Sequence, residues 1–289
     1  MHINLFLAGV GHHEAAWRLP ESRPRSLFEL EHYRHAAVVA EKGKLDSVFF
    51  ADQLSTGVNV RRNLMTAMEP TSLLAALAPA TSRIGLIATA STSYNDPFNL
   101  ARRFATIDHL SGGRVGWNIV TSASEAEARN FGLVSRARHA DRYRRADEFV
   151  EVTNALWDSW EDEALVADKE SGLFVETELL HPIDHQGEEF RVAGPLGVPR
   201  SPQGRPVLVQ AGSSEAGKDL AARVAEAVFT AQRTLADGQA FYADLKRRAA
   251  RAGRDPGQIV ILPGISPFIG STEEEAKRVE EELLDLVQT

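Results

Sequence analysis

Four groups of residues in this sequence could do chemistry. The first is Gly212-Ser213-Ser214-Glu215-Ala216-Gly217, which joins an apolar run to a helical stretch. Free backbone amides and the helix dipole at such a junction favour an anion, typically phosphate. Plain capping by Ser213 or Ser214, with glycine for the turn, accounts for the same pattern. No Gly-Lys-Ser/Thr follows, so this is not a Walker loop, and the chain holds no Gly-x-Gly-x-x-Gly motif. The second group is His139 and Tyr143, four apart at the start of a long periodic segment. They share a face if the helix extends back that far; a surface histidine beside a core tyrosine is the plainer reading. The third is Thr89-Ala90-Ser91-Thr92-Ser93, dense in hydroxyls after an apolar run, which suggests site contacts more than backbone self-bonding. The fourth is Asp52 at the end of Ser47-Val48-Phe49-Phe50-Ala51, either a polar contact of a site or a solvated loop carboxylate or cap.

Other chemistries find little support. His12 and His13 are adjacent, His32 and His35 lie three apart, and His181 and His185 four apart, but none matches a zinc signature, so no metal is expected. There is no cysteine, hence no thiolate nucleophile and no disulfide. No Gly-x-Ser-x-Gly elbow and no Ser-His-Asp order appear. A phosphate nest with few acid–base groups points to chemistry supplied by a cofactor.

The elements that must position these groups are organised by residues 83–122. Residues 84–90 are apolar with β-branched members, as in a buried parallel strand. Asn95-Asp96-Pro97 offers a cap followed by proline at a first helical position. Leu100, Phe104, Ile107 and Leu110 recur at helical spacing until Gly112-Gly113 stops them, and 115–120 is a second apolar strand. This is one β-α-β unit, with Asn118, Thr121 and Ser122 at the end of its second strand. The same alternation predicts strands at 2–10, 47–51, 206–210 and 227–232 and within 258–269. It predicts helices at 26–42, 69–78, 141–160, 237–251 and 272–287, with one ending near Arg223. A loop carrying His12, His13 and Trp17 follows the first strand. A polar loop runs through Asn63, and Glu125, Glu127 and Asn130 lie in a polar segment. Residues 161–205 are a charged, Pro- and Gly-containing insertion with a hairpin expected around His185-Gln186-Gly187; such a length is functional or a lid.

Alternating strands and helices mean an α/β fold with a parallel sheet. A doubly wound sheet is one arrangement. Seven β-α units are instead read as a TIM-type (β/α)8 barrel whose last unit lies outside these 289 residues, forming one domain, 1–289, with the insertion at about 161–205. Hydrophobic residues make up 43% and charged residues 25%, which allows a sizeable core. The net charge of −8, spread along the chain, argues against nucleic acid or an anionic membrane surface as partner. No apolar run reaches membrane-spanning length and no signal peptide is visible, so the expected compartment is the cytoplasm.

Further motifs are Gly11-His12-His13 with Trp17-Arg18, Phe49-Phe50-Ala51-Asp52, Ala90-Ser91-Thr92-Ser93-Tyr94 with Asp96-Pro97-Phe98, and the run from Leu100 to Ser111. With them stand the run from Gly116 to Ser122, His139 with Asp141-Arg142-Tyr143, Ser201-Pro202-Gln203-Gly204, and Gln210-Ala211-Gly212-Ser213-Ser214. In these, over nearly its whole length, the chain resembles the bacterial-luciferase-like flavin monooxygenases that include the large components of nitrilotriacetate, EDTA and dibenzothiophene-sulfone monooxygenases. The resemblance implies a TIM-like barrel holding reduced FMN at the carboxyl ends of its strands. A partner flavin reductase would deliver the FMNH2, and O2 would be used to oxygenate a small organic substrate, often with C–N or C–S cleavage. Asp52, Thr89, His139, Tyr143, Ser213 and Ser214 match the family's flavin positions. Ser213 and Ser214 would hold the phosphate, His139 and Tyr143 the phosphate and ribityl side, and Asp52 and Thr89 would lie nearer the ring. Asn118 and Ser122 resemble pocket-floor residues, and His12 and Trp17 would line the substrate side. No residue is singled out as catalytic. Homodimers or homotetramers are implied, and members of the family are longer by a final strand-helix unit. The rival readings are a flavin-free barrel enzyme acting on a phosphorylated substrate, and an inactive, shortened flavin-binding protein.

Overall fold

The computed structural model describes residues 1–56, 60 and 68–288. The polar loop expected through Asn63 falls largely outside them. Seven parallel strands form one sheet: β1 (Asn4–Phe6), β2 (Ser47–Phe50), β3 (Gly85–Ser91), β4 (Val115–Val120), β7 (Val207–Gln210), β8 (Ala227–Thr230) and β9 (Val260–Pro263), paired in that order. The intervening β5 (His185–Gln186) and β6 (Arg191–Val192) form a separate antiparallel hairpin. The helices are α1 (Leu30–Lys42), α2 (Pro70–Leu77), α3 (Pro97–Ser111), α4 (Glu125–Asn130), α5 (His139–Trp157), α6 (Glu215–Val224), α7 (Leu235–Arg251) and α8 (Glu273–Gln288).

The sheet curls. Phe6 on β1 meets Phe229 on β8 with ring centroids 5.9 Å apart, although the two strands stand five places apart in the sheet. Five spacings of about 4.8 Å would separate them by roughly 24 Å in a flat sheet. Phe6, Phe49, Ile87, Val209 and Ala227 fill the inside of the curl. A larger core lies between the sheet and its helices. There Trp117 touches Phe104, Phe149 and Trp157, with centroids 5.8–6.2 Å apart. Both buried indoles are satisfied: Trp117 Nε1 donates to the Ala90 carbonyl and Trp157 Nε1 to that of Ala101, each at 3.0 Å. The parallel barrel arrangement is therefore the one adopted, and not a doubly wound sheet.

Local chemistry explains the central β-α-β unit. Asp96 accepts the Asn99 amide at 3.2 Å, Pro97 opens α3, and Gly112 closes it at a φ of 68°, which only glycine adopts freely. Elsewhere boundaries differ from expectation. The first strand spans only Asn4–Phe6, because the chain turns at once, with the Gly11 amide bonding the Ala8 carbonyl. The helix expected from Ser26 begins only at Leu30: Pro24–Phe28 is a tight 3₁₀ turn before α1, since Pro24 presets a turn and the Ser26 hydroxyl bonds the Arg23 carbonyl. The polar segment after β4 holds α4, a short helix capped by Ser124. The long helix begins at His139, two residues earlier than its periodicity indicated.

The insertion is tied to α5 through Glu148. Its Oε1 accepts the Phe190 amide at 2.8 Å and bonds His185 Nε2 at 2.9 Å, while Oε2 accepts the Glu189 amide at 2.9 Å. Gln203, in the Ser-Pro-Gln-Gly motif, donates to Asp108 Oδ1 at 2.6 Å and to the Val115 carbonyl at 2.8 Å. That is the amino end of β4, so this motif braces the face away from the strand ends that carry the site.

Candidate cofactor site

The polar residues singled out in the sequence gather at the carboxyl ends of the strands in three patches. The first lies between β7, α6 and α5. Ser214 caps α6, its Oγ accepting the Gly217 amide at 3.1 Å, and the same hydroxyl donates to Tyr143 Oη at 3.3 Å. His139 lies against the Tyr143 ring with centroids 4.8 Å apart, so the four-residue spacing is realised as a shared helix face. The loop is shaped for close approach of its backbone. A Cβ on Gly212 would lie 2.4 Å from Gln210 Nε2, and one on Gly217 would lie 2.9 Å from Tyr143 Oη. Buried Gln210 accepts the Gly212 amide at 2.7 Å and fixes the loop's exit from β7. Ser213 is exposed beside this corner.

The second patch lies on β3 and β4. Thr89 and Asn118 are register partners, each 3% exposed, and Asn118 Nδ2 donates to Thr89 Oγ1 at 2.9 Å. One step on, Ser122 Oγ donates to Ser91 Oγ at 2.9 Å. Ser122 has a φ of 40°, an unusual value for a residue with a side chain and a frequent companion of functional sites.

The third patch surrounds Asp52, just past β2. Burial pushes its carboxyl up to about 6; the nearby Glu69 carboxylate adds to this, the Gln53 amide opposes it, and Glu127 adds a further small push. Glu69 itself caps α2. Burial raises its pKa, but bonds from Ser72 and Thr71 outweigh this and hold it below the usual range. Glu127 is 8% exposed and accepts the Leu54 amide at 3.2 Å. Beside it, Tyr94 stacks on Phe131 at 4.5 Å with an interplanar angle of 4°.

The loop after β1 packs on that strand and on α8. His12 meets Phe6 edge-on at 5.9 Å, and Gly11 is required because a Cβ there would lie 2.6 Å from the Ala16 Cβ. Ala15 and Ala16 pack on Leu283 of α8, and the Arg18 guanidinium donates to the Leu286 carbonyl. Trp17 is 38% exposed.

The structure thus joins His139, Tyr143 and Ser214 directly, and Thr89 with Asn118. Among the described residues no hydrogen bond or ring contact links Asp52, Trp17 or Ser213 to those groups. Sequence reasoning passed over Gln210, Glu69 and Glu127 as parts of the site. For Glu127 a signal existed: Ser124-x-x-Glu127 is a capping-box pattern. In the fold Ser124 caps α4 but the glutamate turns away to Leu54 instead.

Comparison with known proteins agrees with the fold. The family model described as luciferase-like monooxygenase matches residues 6–287. The chain is 51% identical over 285 residues to N-acetyl-S-(2-succino)cysteine monooxygenase of Bacillus subtilis, covering 99% of this chain and 65% of that protein. It is 48% identical over 299 residues to nitrilotriacetate monooxygenase component A of Aminobacter aminovorans, covering 99% and 66%. The chain therefore spans about two thirds of the length of these curated relatives. Among solved structures, long-chain alkane monooxygenase (LadA) superposes with a TM-score of 0.92 at 36% identity, over 99% of this chain and 69% of that one. The EDTA monooxygenase EmoA from Chelativorans superposes with a TM-score of 0.87 at 40% identity, over 98% and 68%.

Proposed function

This chain belongs to the luciferase-like monooxygenase family, and from that premise we propose that it is the oxygenating component of a two-component, FMNH2-dependent monooxygenase. The observation that carries the reading is the corner where Ser214, Tyr143 and two close-approach glycines meet the start of α6. A phosphate there would be met by the positive end of a helix, with the Ser214 and Tyr143 hydroxyls beside it.

The residues fit FMN. Ser213, Ser214 and Tyr143 would hold the phosphate, with His139 on the ribityl side. Thr89 and Asp52 would lie nearer the ring, with Asn118 and Ser122 on the floor and His12 and Trp17 on the substrate side. When bound, reduced FMN supplies the electrons that activate O2 for transfer of one oxygen atom to the substrate. The chain's own part is to bind, orient and exclude water. The apolar inside of the barrel, with Phe6 and Phe49, would keep water from beneath the ring.

The substrate is a small organic molecule oxygenated with C–N or C–S cleavage; relatives of the chain are named for nitrilotriacetate and dibenzothiophene sulfone. A separate flavin reductase would supply the FMNH2, and the chain would work as a homodimer or homotetramer in the cytoplasm. Among the described residues no helix is long and apolar enough to cross a membrane. Residues 1–289 act as one barrel domain with the 161–205 insertion at its rim.

The test is anaerobic titration of photoreduced FMN, followed by reductase-coupled turnover of candidate amines and sulfur compounds. Saturable binding of FMNH2 with O2- and substrate-dependent product is expected. Absence of FMN binding, in this chain and in a version extended to the length of its relatives, would overturn the reading.

A further inference from the structure

We propose that Arg248, on α7, is a positioning residue for phosphate binding: it holds the Glu215 carboxylate away from the amides at the start of α6 and so keeps that corner open to another anion. This rests on the flavin reading above.

Glu215 directly follows the Ser214 cap and is the first residue of α6. A carboxylate in the first turn of a helix is drawn to the positive end of the dipole and to the amides there. Those are the groups a phosphate at this corner needs. In the fold the carboxylate is engaged elsewhere. Its Oε2 pairs with Arg248 Nη2, and its Oε1 with Lys218 Nζ at 2.5 Å. Among the described residues it accepts no backbone amide. Bonds from Lys218 and then Arg248 hold its carboxyl below the usual range, so it stays an anion.

Arg248 is itself fixed. Each of its three nitrogens meets a different carboxylate: Nη2 that of Glu215, Nη1 Asp219 Oδ1 at 2.5 Å, and Nε Asp244 Oδ2 at 3.1 Å. Asp244 Oδ2 also accepts Lys218 Nζ at 2.8 Å, so one carboxylate anchors both cations that restrain Glu215. The Arg248 side chain is 18% exposed and that of Glu215 is 74% exposed. An exposed carboxylate, free to turn toward the helix start, is thus tied to a guanidinium that two further carboxylates hold in place.

The test titrates the intact chain anaerobically with reduced FMN and with reduced riboflavin, which has no phosphate. In Arg248→Met, FMN is expected to bind roughly tenfold more weakly, with riboflavin unchanged. Adding Glu215→Gln to that variant should restore FMN affinity. A network that only staples α6 to α7 gives the reverse, because the double variant has lost more ion pairs and binds no better. Equal loss for both flavins in Arg248→Met, or no rescue in the double variant, overturns the proposal. Glu215→Gln alone alters an exposed side chain, and FMN affinity within about twofold of the parent is expected. A selective loss of FMN in that variant also overturns the proposal, without any change to Arg248. Equal affinity of the parent chain for FMN and riboflavin removes the phosphate from this corner and the proposal with it, leaving flavin binding itself intact. Failure of the parent to bind either flavin overturns the flavin reading as well.

Discussion

Ser214 Oγ donates to Tyr143 Oη across 3.3 Å, joining the cap of α6 to the second turn of α5. The serine does two jobs at once, since its oxygen also accepts the Gly217 amide that opens the helix.

That double role separates folding from binding. Ser214→Asp keeps a strong cap, because aspartate serves that position as well as serine. It also places a carboxylate where phosphate is proposed to sit. FMN affinity is expected to fall roughly tenfold or more with melting temperature nearly unchanged, while riboflavin, which has no phosphate, should bind as before. Fluorescence titration of both flavins checks this; equal loss for the two removes the phosphate from this corner.

Gly217 and Tyr143 are expected to be coupled. A Cβ at Gly217 would lie 2.9 Å from the tyrosine oxygen, so Gly217→Ala should displace the ring and weaken FMN binding. In a Tyr143→Phe background the shortest of these contacts disappears, leaving approaches of 3.1 Å to Gly212 Cα and Ser214 Oγ, so the same alanine should cost less binding than it does in the parent. A double-mutant cycle on FMN affinity reads the coupling directly; additive effects would contradict it.

Asp52 makes stability depend on pH. Its carboxyl ordinarily titrates near 3.8 and is pushed up to about 6 in the fold, chiefly by burial. The native state therefore binds more protons than the unfolded chain between those values. Asp52's contribution is most favourable below about 4, declines as pH rises to about 6, and is flat above. Asp52→Asn should be more stable than the parent at pH 7 and lose that advantage near pH 4. Denaturant midpoints at both pH values check the sign.

The aromatic layer under the helices is expected to dominate stability. Phe104 is fully buried against Trp117. Phe104→Ala should cost about 3–5 kcal/mol, measured by chemical denaturation. A loss below about 1 kcal/mol would mean the layer collapses around the gap.

Much of this was written in the chain itself. The strand-helix alternation, the Asp96-Pro97 start and Gly112 stop of α3, and the His185-Gln186 hairpin depend on local propensity and short-range hydrogen bonds, which neighbouring residues decide. The pairing of His139 with Tyr143 followed from helix periodicity once the helix began early enough. Other features had no local signal. Asp52, Glu69 and Glu127 come from three separate segments, and only burial in one place raises the first carboxyl. The orphaned oxygen of Asn118 arises because β3 and β4 set it opposite Thr89 on the curled sheet, where both are buried. Glu127 carries a capping pattern, yet the fold gives its carboxylate to Leu54 because that amide lies nearby in space. Propensity and period act within a few residues, so the sequence determined the elements and their order. Desolvation and unpaired polar atoms are properties of what is packed around a group, so only the tertiary structure decided which of those elements' side chains became a site.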